Sequence, residues 1–83
     1  MTDLEAVIQR MEQLKDSSST PVNIQELLQD SIEVLRNKEE ELSVRVNTVS
    51  SFMDQISNDP NVKQHTRTEV WNISSMLESL EEE

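Results

Sequence analysis

Eighty-three residues carry seventeen acids, seven bases, one His, one Trp and one Phe, with neither glycine nor cysteine, and a formal charge of −10. That is enough chain for one small domain, without disulfide or thiolate chemistry and without the glycine-rich loops that cradle phosphates or close tight hairpins. The acid excess disfavours nucleic acid and anionic membrane as direct partners, no apolar run reaches spanning length, and the N-terminus lacks signal-peptide character, so the expectation is a cytoplasmic protein.

Four amphipathic segments follow in order. The first covers about residues 3–16, where Leu4, Val7, Ile8, Met11 and Leu14 share one face. Thr2 followed by Glu5 has capping-box spacing. Ser17-Ser18-Ser19-Thr20 is a polar stop, and Pro21 then takes a first helical position with Thr20 as N-cap. The second segment, about 21–37, carries Ile24, Leu27, Leu28, Ile32, Val34 and Leu35 as a broad stripe, which predicts the most buried helix. Asn37 is the expected terminator, in the left-handed conformation that glycine usually supplies. Lys38-Glu39-Glu40-Glu41 reads as a solvated connector, because consecutive carboxylates diverge on a helix and make a poor metal cage.

The third segment covers about residues 43–57, with Ser43 as N-cap and Leu42 in the entry turn. Its seam is Leu42, Val46, Val49, Met53 and Ile56, with Phe52 on the flank. Asn58-Asp59-Pro60-Asn61 is a turn signal. The fourth segment, about 62–80, holds the sole His and Trp, and Thr66, Val70, Ile73, Leu77 and Leu80 recur at alternating steps of four and three. Glu78 and Glu81-Glu82-Glu83 sit at the negative end of the helix dipole, so the acidic tail is expected to fray.

A shift of about 42 residues lays Leu4, Val7, Met11 and Leu14 on Val46, Val49, Met53 and Ile56. The same shift lays Ile24, Leu28, Ser31 and Leu35 on Thr66, Val70, Ile73 and Leu77, and Thr20-Pro21 on Val62-Lys63. Whole heptads explain part of the seam matching, but not the matching of loops and helix starts. The fold expectation is therefore all-α: an up-and-down four-helix bundle of two αα-hairpins, one domain over residues 1–83.

Catalytic signatures are absent. A single His excludes a His-rich metal site or a di-iron carboxylate bundle, and His65 with Glu69 one turn on is a weak pair that reads as solvated surface. Serines are plentiful, but no nucleophile elbow accompanies them. Acids are so common that paired carboxylates carry no information. The expectation is a non-enzyme without catalytic, metal or cofactor-binding residues.

Trp71 carries the one sharp candidate. At about 100° per residue it projects roughly 130° from the centre of the fourth seam. Its helical neighbours Arg67, Ser74, Ser75 and Glu78 are polar. Either the ring folds over the flank and closes a groove, or it anchors a partner together with Arg67. Phe52 and Met76 read as peripheral core. The partner is a protein, with a second copy in a homodimer among the candidates, since small bundles gain from association. The alternative is an acidic accessory or regulatory subunit that binds a basic partner. A third source of the acid excess is adaptation to a salty cytosol.

Glu39-Glu40-Glu41-Leu42-Ser43-Val44-Arg45-Val46 resembles a segment found in a family of small archaeal proteins catalogued only as uncharacterised. So does Ile56-Ser57-Asn58-Asp59-Pro60-Asn61, followed by Thr66-Arg67-Thr68 and Trp71-Asn72. The resemblance is strongest from about Asn37 to Leu80. It implies a compact four-helix bundle of archaeal origin, and it brings no activity or catalytic residue with it. A proline often opens the fourth helix in that family, and Lys63 stands there in this chain.

Overall fold

The computed structural model describes residues 3–81. It contains α1 (Asp3–Lys15), α2 (Val22–Arg36), α3 (Leu42–Ser57) and α4 (Gln64–Glu81). Each helix packs on two others in the cycle α1–α2–α3–α4–α1, while the diagonal pairs make no close approach. Short linkers and this cycle together define an up-and-down bundle. Its long axis is 33 Å, little more than the length of α4 at about 1.5 Å per residue.

The period of three and four is satisfied by burial. Val7, Ile8, Met11 and Leu14 of α1 meet Ile24, Leu28, Ile32 and Leu35 of α2, Val46, Val49, Met53 and Ile56 of α3, and Val70, Ile73, Leu77 and Leu80 of α4 in one core. Leu4, Leu27, Val34, Leu42, Phe52 and Met76 pack around its edge. The internal repeat holds at the level of burial: Met11 and Met53, Leu14 and Ile56, Ser31 and Ile73, and Leu35 and Leu77 are all buried. Ser31 is tolerated there because its hydroxyl donates to the Leu27 carbonyl at 2.8 Å, which leaves no orphan donor in the core. Every helix contributes four or five buried residues, so α2 does not stand apart; Leu27 and Val34 sit on its flanks and narrow the expected stripe.

All three linkers are built alike. Ser17, Asn37 and Asp59 each accept a backbone N–H two residues on with a side-chain oxygen, at 3.4, 3.1 and 2.8 Å. Their carbonyls each accept the N–H three residues on, from Thr20, Glu40 and Val62. Their own N–H groups each donate three residues back, to Leu14, Val34 and Ile56. Eight residues after each turn residue, a long side chain in the first turn of the next helix reaches back to a carbonyl. Gln25 Nε2 donates to the Lys15 carbonyl at 3.1 Å, Arg45 Nη1 to that of Leu35 at 2.7 Å, and Arg67 Nη2 to that of Asp59 at 3.1 Å. The first two serve carbonyls that a helix C-terminus leaves without an internal partner.

This shared turn explains where the sequence expectations miss. Thr20 is not the N-cap of α2; Pro21 is, with extended backbone and no side-chain cap. The buried Thr20 hydroxyl instead donates back to the Leu14 carbonyl at 2.7 Å. Ser43 is not the N-cap of α3; Glu41 is, four residues after Asn37, so Leu42 is already the first helical residue. Asn37 does not go left-handed but stays extended at φ −79°, ψ 96°, since its side chain makes the turn. No described residue has positive φ. The fourth helix starts at Gln64, two residues later than the expected bound of 62, because Val62 is used as a buried plug of the linker. The Thr2 cap and the end of the acidic tail lie outside the described residues.

Candidate interaction surface

Trp71 lies near the middle of α4, next to the seam residue Val70, and is 53% exposed. About half of a large apolar residue is therefore in water, although the seam beside it is fully buried. The ring does not close a groove completely; the outward direction read from the helical angle is the one observed.

The surroundings are polar. Glu69 faces α1, where its carboxylate accepts from Arg10 Nη1 at 3.1 Å. Met76 lies on the same flank, beside a shallow hollow of about 250 Å³ shared with Ala6, Gln9, Arg10 and Gln13. On the flank toward α3, Ser74 is half-buried, while Ser75 and Glu78 are exposed. Arg67 lies one turn before Trp71 and is half-buried. Its guanidinium is held by the Asp59 carbonyl, and its Nε is buried without a hydrogen-bond partner. Arg67 thus anchors the α3–α4 linker, and any contact it makes with a partner comes on top of that role. Phe52 and Met76 are peripheral core, as their flank positions predict.

Two exposed valines escaped the periodicity: Val22 is 71% exposed and precedes the first buried residue of α2, Ile24, while Val44 is 45% exposed and lies off the face shared by Leu42 and Val46. His65 Nε2 lies 3.4 Å from Ser19 Oγ, across from the α1–α2 linker, and Glu69 is engaged by Arg10. No three His, Asp or Glu side chains among the described residues converge in a way that could hold a metal. No helix among them is long and apolar enough to cross a membrane.

The family model described as "Uncharacterised protein family (UPF0147)" matches residues 1–80. The chain belongs to this family. A UPF0147 protein of Methanothermobacter thermautotrophicus is 46% identical over 69 residues, which cover 83% of this chain and 68% of the relative. Another, from Pyrococcus furiosus, is 35% identical over 85 residues, covering 96% and 91%. The crystal structure of a UPF0147 protein from Thermoplasma acidophilum superposes with a TM-score of 0.90 at 36% identity, covering 94% of this chain and 92% of that one. The archaeal resemblance and the compact helical fold are both confirmed by these matches. Membership of UPF0147 brings no activity with it.

Proposed function

We propose that this UPF0147 chain is a non-enzymatic, cytoplasmic interaction module that docks a protein partner, or a second copy of itself, through the outer face of α4. The observation that carries the reading is the half-exposed indole of Trp71 on an otherwise polar flank of a small acidic bundle. Tryptophan is enriched among residues that dominate binding energy, and a ring already fixed on a helix loses little entropy when covered. Arg67 borders the patch. Nucleic acid and membrane fit the charge of −10 poorly.

The test uses Trp71 as both probe and target. Immobilised full-length chain and its Trp71→Ala variant are exposed to native archaeal extract. The emission of the sole Trp is then followed as each retained protein is added back in purified form. The expected result is a partner held by the wild type and lost in the variant at equal helicity, with a blue shift on rebinding. Sedimentation with the same emission readout covers the self-associating case. Equal retention by both chains refutes the reading.

Glu39, Glu40 and Glu41, all exposed before α3, favour a second reading in which an acidic accessory subunit holds a basic partner. Binding would then weaken steeply with salt and ignore Trp71→Ala.

A further inference from the structure

We infer that a cleft at the end of the bundle where α1 begins and α2 ends is a binding site for a small amphipathic carboxylate. Its volume is about 320 Å³, at the lower end of the range for small-molecule sites. It is floored by Ile8 and Leu35 and walled by Leu4, and Arg36, Lys38 and Arg45 stand around it. One acid, Glu5, also lines it.

The charge distribution is the first argument. The chain has seven bases among seventeen acids, and three of the seven converge on this one cleft. Lys38 and Arg45, like Lys15, Lys63 and Arg67 elsewhere, form no ion pair among the described residues, and Arg36 reaches only to 3.9 Å from Glu12, with both side chains about half exposed. A pair so open to water is worth little and leaves Arg36 available.

Preorganisation is the second. Arg45 Nη1 is held by the Leu35 carbonyl at 2.7 Å, which fixes the guanidinium at the rim. Its Nε is buried without a partner. A guanidinium fixed in this way presents its remaining donors without first losing rotamer entropy. The first turns of α1 and α3 lie at the same end, but so does the last turn of α2, so the helix dipoles there largely offset one another.

The third argument selects the ligand. The field of a −10 protein opposes anions in proportion to their charge, so phosphate dianions and nucleic acid are repelled more than a monoanion. Beside the cations, Leu4 and the alkyl stems of the basic side chains offer apolar surface. A carboxylate head on a body of about four to six carbons satisfies both halves of the cleft within its volume. This site is separate from Trp71 and does not depend on the interaction reading.

The test titrates hexanoate into the isotope-labelled full chain and follows backbone amides. Hexanamide removes the charge, inorganic phosphate removes the apolar body, and hexylamine reverses the sign. Saturable binding of hexanoate below about 10 mM is expected, with shifts centred on Leu4, Leu35, Lys38 and Arg45. The three controls should bind at least 10-fold more weakly. Lys38→Glu, at an exposed linker position, should cost hexanoate at least 10-fold in affinity while the melting curve stays in place, and Lys38→Arg should restore it. Trp71→Ala should bind like wild type. No saturation, equal binding of hexanamide or phosphate, or an unaffected Lys38→Glu would each overturn the proposal.

Discussion

Trp71→Ala and Ile73→Ala, two residues apart on α4, make opposite demands on the fold. Ile73 is fully buried. Truncating it removes burial and leaves a cavity among neighbours that relax only partly, at a cost of about 2–5 kcal/mol. A chain of this length has about 4–12 kcal/mol in all, and each kcal/mol moves the midpoint of so small a domain by about 4–8 °C. Ile73→Ala should therefore melt about 8–40 °C lower. Trp71 is 53% exposed. Roughly half of its area, about 120 Å², is hidden, which bounds the loss near 3 kcal/mol. Its own helix hides much of that, alanine keeps a share, and alanine is the better helix former by several tenths of a kcal/mol. The net cost is about 1 kcal/mol, a fall of less than about 8 °C. Circular dichroism under heat and urea is the assay, because Trp71→Ala removes the only strong fluorophore. If the two variants lose similar stability, the indole is interior and the argument for an exposed docking residue fails.

The remaining predictions concern the linkers and the charge. Thr20→Val keeps the buried volume but leaves the Leu14 carbonyl with only the Ser17 N–H at 3.2 Å, so the urea midpoint should fall by an amount equivalent to about 1 kcal/mol; an unchanged midpoint would show that the Ser17 N–H alone satisfies the carbonyl. Raising sodium chloride from about 20 to 500 mM should raise the melting temperature by a few degrees, because repulsion within a −10 surface is screened. A fall instead would mean that pairs such as Arg10–Glu69 outweigh that repulsion.

The seams were legible because periodicity reports burial directly: Val46, Val49, Met53 and Ile56 had to share a face, and that face had to be covered. The outward direction of Trp71 followed from the same arithmetic. Helix starts were less legible. Thr20 and Ser43 are good N-cap residues by type, but the starts are set upstream, by the oxygen of Ser17 or Asn37. The signal was present: a turn-forming side chain stands four residues before Pro21, Glu41 and Lys63 alike, although the repeat of about 42 residues relates only Ser17 to Asp59 and leaves Asn37 out. The double duty of Arg67 could not be read, since nothing in one dimension says that its guanidinium reaches the Asp59 carbonyl. The basic cleft was invisible for the same reason, because Leu4, Lys38 and Arg45 meet only once three helices have closed.

The turn shared by the three linkers asks only for a short oxygen-bearing side chain at its head and ordinary right-handed or extended dihedrals after it. None of its positions is reserved for glycine, whose replacement elsewhere would strain the backbone. Such corners tolerate drift: acids, serines or prolines can be exchanged there to suit salinity or temperature while the architecture stays put. Habitat can thus rewrite the exterior of a chain like this one without renegotiating its topology.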